Sequence, residues 1–139
     1  MIGKPLRRTK NHKIEYAMIS NRCMIAIASC ANIAESKKPI AVPEMADRVG
    51  ASASYIEQIF AKLKRARIVK GIRGPGGGYV LANDAKAISV LDIVIASSGK
   101  QRLSVETYSS PAISLLMHQI ESVISEIGLS DLTTPKEDA

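Results

Sequence analysis

The chain holds only two cysteines, Cys23 and Cys30, and only two histidines, His12 and His118. The cysteines lie seven apart in one apolar helical stretch, which sets them on one helix face, about two turns and roughly 10 Å apart along the axis. An intrachain disulfide needs Cα atoms within about 7 Å, so that pairing is excluded. The two read as small core residues, with a redox or intersubunit role as the alternative. Neither histidine has a partner at metal-ligand spacing. With both histidines far in sequence from the cysteines, no Ser/His/Asp or Cys/His set is available for nucleophilic catalysis. No apolar run is long enough to cross a bilayer. The basic start is not followed by a signal-peptide core and cleavage site. These absences predict a cytoplasmic chain without enzymatic activity, metal or membrane partner.

What is present is positive charge. Nineteen lysines and arginines stand against thirteen acids, a net charge of +6, and the pI is near 9.5. Such a balance on a small chain favours a polyanionic partner. Hydrophobic residues make up 46% of 139 positions, enough for one domain with a real core plus a modest extension.

Along the chain, residues 1–13 are polar, basic and without periodicity and read as a flexible arm. A first helix is expected from Ile14 to Ala34, apolar nearly all round through Ala17, Met18, Cys23, Met24, Ile25, Ala26, Ile27 and Ala28, as a central buried helix would be. Lys37, Lys38 and Pro39 break it. Val42-Pro43-Glu44 opens a short second helix with Met45, Ala46 and Val49 inward and Gly50 as its stop. A third helix starts at Ser52 or Ser54, either of which can cap it, with Ile56, Ile59, Phe60 and Leu63 as its buried stripe. Two short helices joined by a tight glycine turn fit a helix-turn-helix. Ile68, Val69 and Ile72 before four glycines and a proline, and Tyr79, Val80 and Leu81 after them, describe a β-hairpin. A further short helix follows from Ile88 to Ser97, with Ser89 as cap and Asp92 at its third position. Residues 98–110 read as a loop. Pro111 starts a last helix that ends at Gly128, and residues 129–139 form a tail. Ile113, Leu116, Met117, Ile120, Val123, Ile124 and Ile127 recur on this last helix at steps of three and four, a stripe suited to dimerisation or, alternatively, to capping the core. The fold class is thus mainly α with a small β-hairpin wing: a winged helix-turn-helix over residues 14–97 and a dimerisation helix over 111–128.

Ala51-Ser52-Ala53-Ser54-Tyr55-Ile56-Glu57-Gln58-Ile59-Phe60-Ala61-Lys62-Leu63, followed by Arg73-Gly74-Pro75-Gly76-Gly77-Gly78-Tyr79, resembles the bacterial winged-helix regulators that include IscR, NsrR and CymR. The resemblance runs from about Met18 to Ala96 and weakens through the last helix. It implies a homodimer on a pseudo-palindromic operator of double-stranded DNA, with the third helix in the major groove and the wing in an adjacent minor groove. The side chains suit those roles. Tyr55 and Gln58 lie near the helix N-terminus, where recognition helices meet base edges. Gln58 can pair bidentately with adenine, Glu57 can accept from a cytosine amino group or merely repel mismatched phosphate paths, and Ser52 and Ser54 can reach a base or phosphate. Lys62, Lys64 and Arg65 are placed for phosphates. Arg73, beside Gly74, Pro75, Gly76 and Gly77, is the expected minor-groove reader.

Two departures from that family stand out. Its iron–sulfur members carry three cysteines in the loop before the dimerisation helix, and here Ser97 to Ser110 contains none. A cluster needs thiolates or comparable ligands at close quarters; the expectation is therefore a cluster-free member, with no cofactor, responding to an effector protein, a thiol modification or another signal. The second is the N-terminus. Family chains begin near a sequence like Met18-Ile19-Ser20-Asn21-Arg22, which leaves residues 1–17 as a true extension or an upstream start. Lys4, Arg7, Arg8, Lys10 and Lys13 against Glu15 give that segment +4 of the total +6, and a true arm would add phosphate or minor-groove contacts.

The function expected is a sequence-specific transcription regulator acting as a dimeric repressor. The alternative is a winged-helix protein-interaction module with lost or subordinate DNA binding, and charge reversal at Arg73 separates the two. An enzyme has little support: no Gly-Lys-Ser/Thr follows Gly74 to Gly78, and no strand-to-helix context makes them a phosphate loop.

Overall fold

The computed structural model describes residues 19–98 and 110–134. The basic arm, the first residues of the expected first helix, positions 99–109 of the loop and the last five residues of the tail lie outside the described residues.

Helix α1 spans Asn21–Glu35, so Ile19 and Ser20 are not helical. Ser20 takes the cap position instead, its hydroxyl oxygen accepting the Cys23 N–H at 3.3 Å. The helix is also not buried all round. Cys23, Ala26, Ser29, Cys30 and Ile33 form its inner face, while Met24 is 57% exposed and Ala28 faces solvent. Helical geometry lets one stripe meet the neighbouring helices, and apolar residues off that stripe find no covering element.

Helix α2, Val42–Val49, ends at Gly50, whose φ of +72° is the left-handed conformation that closes the turn. Helix α3 spans Ala53–Arg65, and Ser52 caps it by accepting the Tyr55 N–H at 3.1 Å. Ser54 lies inside the helix. Ile56, Ile59, Phe60 and Leu63 are fully buried.

Strand β1, Val69–Ile72, runs antiparallel to β2, Gly78–Leu81, with Val69 opposite Leu81 and Ile72 opposite Gly78. Ile40, in the link between α1 and α2, exchanges backbone hydrogen bonds with Tyr79 at 3.1 and 2.8 Å, adding a one-residue third strand. That approach requires glycine at position 78: its φ is +154°, and a Cβ there would lie 2.4 Å from Ile40 backbone atoms.

A 3-10 turn at Ala85–Ala87 leads to helix α4, Val90–Ser97. Ser89 accepts the Asp92 N–H at 3.0 Å, and the Asp92 carboxylate accepts the Ser89 N–H at 2.9 Å, the reciprocal cap expected from the sequence. Helix α5, Pro111–Glu126, packs along α4.

The chain after α5 does not leave the body as a tail. Val90 N–H bonds to the Ile127 carbonyl and Leu129 N–H to the Ile88 carbonyl, both at 2.8 Å. Leu129, at the head of a 3-10 turn over Leu129–Leu132, is fully buried in the main core beside residues such as Ile88 and Ile93. A single leucine reaching the core was invisible to a periodicity argument.

Two hydrophobic clusters result. The larger joins Cys30, Ile40, Met45, Ile56, Phe60, Leu63, Ile93 and Leu129 among others. The smaller joins Cys23, Val90, Val94 and Ile124, with Ile120 and Ile127 packed against it. The stripe expected on the last helix is therefore split. Ile120, Ile124 and Ile127 are committed to the chain's own interior, Ile113 and Met117 are half-buried, and Leu116 and Val123 are 52% and 57% exposed.

Truncating Leu129 leaves a cavity in the main core. Leu129→Ala should lower stability by about 2–4 kcal/mol in urea denaturation. A loss below about 1 kcal/mol would mean that the segment after α5 is a loose tail after all.

Candidate nucleic-acid interface

The four buried residues of α3 decide what the helix shows to solvent. With Ile56, Ile59, Phe60 and Leu63 turned inward, Ser54, Glu57, Gln58, Lys64 and Arg65 are exposed, and Tyr55 and Lys62 are half-exposed. Ser52 is exposed at the cap; its oxygen accepts the Tyr55 N–H, which leaves the hydroxyl proton free to donate outward. The eight α3 positions singled out from the sequence thus sit on one short helix and its cap.

The wing tip is exposed at Arg73, Gly74, Pro75 and Gly76, with Gly77 half-buried. Gly74 and Gly76 have φ of +93° and +74°, and Gly77 N–H bonds back to the Gly74 carbonyl at 2.9 Å. A Cβ at Gly77 would lie 2.3 Å from the Ile72 carbonyl oxygen. The glycines are thus needed to make the loop this tight.

Helix and wing are coupled. Phe60 of α3 meets Tyr79 of β2 edge to face, ring centroids 4.7 Å apart at 76°. At the other end of α3, the Arg22 guanidinium lies 5.9 Å from the Tyr55 ring centroid, bringing a cation from α1 to the first turn of α3. Sequence reasoning did not single out Arg22, since nothing in its spacing ties it to Tyr55. Lys70 on β1 was missed as well, although β alternation places it opposite the buried Val69 and hence outward.

From Gln58 to Asn83 the sequence has six basic residues and no acid. An ion pair joins Glu44 to Arg48 on α2. Among the described residues none of the α3 and wing cations is held in an ion pair, and with Glu57 as the only acid on α3 their field stays positive on that part of the surface.

A helix-turn-helix followed by a glycine-tipped hairpin matches the Rrf2 family, described as iron-dependent transcriptional regulators, over residues 19–134. The chain belongs to the Rrf2 family. That is a class of transcriptional regulators, not of enzymes. Among curated proteins it is similar to a putative HTH-type transcriptional regulator, ORF2, of Azotobacter vinelandii: 34% identity over 110 residues, 68% of this chain and 64% of that one. It is also similar to the HTH-type transcriptional regulator IscR of Vibrio vulnificus, at 45% identity over 60 residues, 43% of this chain and 36% of IscR. The match spans less than two thirds of either relative. Among solved structures, T. potens IscR superposes with a TM-score of 0.70 at 30% identity, covering 83% of this chain and 85% of that one. CymR of B. subtilis superposes with a TM-score of 0.68 at 26% identity, covering 83% and 95%. The family and these neighbours support the winged-helix fold expected from the sequence.

The Rrf2 chain's two thiols sit in different surroundings. Burial pushes the Cys23 thiol up, but hydrogen bonds with Ser20, Ser98 and Ser97 outweigh it and leave the thiol below its ordinary value. Ser20 Oγ donates to Cys23 Sγ at 3.4 Å, and Ser98 Oγ lies at the same distance. Cys30 has burial alone, which pushes it up to about 12.

The Cys30 shift has a pH consequence. The folded state favours the neutral thiol, so the stability this contributes is complete below the ordinary value of 9.0 and is lost as pH climbs toward about 12. Urea titrations at pH 8 and pH 10 should show wild type losing about 1 kcal/mol more than Cys30→Ala between the two. Equal losses in the two proteins would refute the burial effect.

Proposed function

We propose that this chain acts as a homodimeric, sequence-specific repressor that binds a pseudo-palindromic operator and occludes a promoter. The observation that carries the reading is the joined surface of α3 and the wing: an exposed helix-turn-helix face and a glycine-tipped hairpin, locked together by Phe60 and Tyr79 and lined by cations without carboxylate partners among the described residues. Lys62, Lys64 and Arg65 neutralise phosphates and supply affinity. Tyr55, Gln58 and Glu57 read base edges in the major groove, with Ser52 and Ser54 beside them. Arg73, carried on Gly74, Pro75, Gly76 and Gly77, enters the adjacent minor groove. A protein-interaction role for the same scaffold would leave this cationic surface without a task.

The dimer contact is proposed on the solvent side of α5, through Leu116 and Val123 together with Ile113 and Met117. Ile120, Ile124 and Ile127 support that face from beneath. Two copies joined there would present two recognition helices at a fixed spacing, which a palindrome requires. A signal, carried by an effector protein or a modification, would act by changing that spacing.

The family description invokes iron, and the donor set here does not fit a cluster. Both cysteines lie on α1, buried in two separate hydrophobic clusters. Cys30 is held as a neutral thiol, whereas a cluster needs thiolates. Among the described residues no three His, Cys, Asp or Glu side chains gather as a metal site, and the sequence from Ser97 to Ser110 supplies no cysteine. We therefore assign the chain to cluster-free regulation. No helix among the described residues is long and apolar enough to cross a membrane, and the proposed setting is the cytoplasm.

Selection of genomic fragments by the purified protein, followed by footprinting, should protect a palindrome of roughly two helical turns. Arg73→Glu should abolish that protection, and Gln58→Ala should weaken it about tenfold while relaxing preference at one base pair. Absence of any enriched fragment at low salt would count against the reading. For the dimer, Val123→Glu should halve the mass seen by light scattering, and an unchanged mass would place the contact elsewhere.

A further inference from the structure

Among the described residues, Arg67 alone combines a side chain with a positive φ, +62°. It occupies the left-handed position that closes α3. Its N–H bonds to the Lys64 carbonyl at 3.0 Å, and the next N–H, from Ile68, bonds to the Leu63 carbonyl at 2.9 Å. Helix ends of this form favour glycine, which adopts the conformation without a Cβ penalty. The conformation is also held from the wing. Asn83, just beyond β2, donates through its side-chain amide to the Arg67 carbonyl at 3.0 Å. A strained backbone kept at a non-glycine residue directs attention to what the side chain does. This side chain is exposed, and among the described residues it has no carboxylate partner.

The place of Arg67 in the chain identifies its partner. With α3 in a major groove and the wing tip in the adjacent minor groove, the link between them must cross the sugar–phosphate ridge that separates the two grooves. The cations on that link are Arg67 and Lys70, and Lys70 lies on the strand face opposite buried Val69. We propose that Arg67, seconded by Lys70, clamps this ridge as a DNA-backbone contact, and that arginine holds a glycine position because the contact requires its charge. The inference rests on the DNA-binding reading above. It adds affinity and register between helix and wing, without base selectivity of its own.

The test uses a fluorescently labelled mixed-sequence duplex of about 30 base pairs, titrated over roughly 50 to 300 mM KCl, with melting temperatures measured in parallel. Arg67→Gly should bind about three- to tenfold more weakly and reduce the log–log salt slope by about one per protomer. Its melting temperature should equal or exceed that of wild type, because glycine relieves the backbone. Arg67→Lys should keep the salt slope and bind within about twofold of wild type. Unchanged affinity and slope in Arg67→Gly would overturn the proposal. So would a clear fall in its melting temperature, since the residue would then not be held under strain. A wild type that fails to bind the duplex at any salt would instead bring down the DNA-binding reading itself, a result separable from normal binding that ignores Arg67.

Discussion

Phe60 and Tyr79 meet edge to face, and the relative placement of helix and wing follows from that contact. Phe60 belongs to the buried stripe of α3, so its position dictates which α3 side chains face solvent. Tyr79 belongs to β2 and is bonded through its backbone to Ile40 on the other side, so the hairpin cannot swing away from the link before α2. The close passage of Gly78 over Ile40 completes the arrangement. The exposed faces of α3 and the wing are thereby held as one body. The rigidity is a packing effect, and it leaves the exposed side chains of both elements free for other work.

The same economy appears at the other end of the chain. Helix α5 has apolar residues for two tasks, covering α4 and presenting a face outward, and the structure divides them residue by residue. Ile124 closes the small cluster around Cys23, Val90 and Val94, while Val123, its immediate neighbour, points away. The two cysteines show a comparable division. A spacing of seven keeps them on one face of α1, yet Cys30 is enclosed by the main core while Cys23, in the smaller cluster, also meets the hydroxyls of Ser20 and Ser98. Identical side chains on one helix therefore have proton affinities shifted in opposite directions.

Much of this was legible in the sequence. The α3 stripe, the glycine stop of α2, the reciprocal Ser89–Asp92 cap and the hairpin all rest on interactions spanning a few residues, where periodicity and capping rules apply directly. The exposure of the α3 positions was likewise readable, because burial of one helix face determines its complement. Legibility failed where partners are distant in sequence. One local feature was also missed, the start of α1, which turned on which of several polar residues captured a helix N–H, and Ser20 did so. Leu129 reads as part of a tail until the backbone of residues 127–129 is seen pairing with that of 88–90. Arg22 gives no sign of its approach to Tyr55, thirty-three positions away by number.

The local order of helices, the turn chemistry and the stretch of unopposed positive charge are properties of the sequence alone, because each depends on near neighbours or on composition. Tertiary structure alone decided which part of the α5 stripe stays outside, which cysteine keeps a hydrogen-bonded thiol, and that an arginine would close α3 in a glycine conformation. These depend on which surfaces meet once the chain has closed on itself, and packing between distant segments has no period to read.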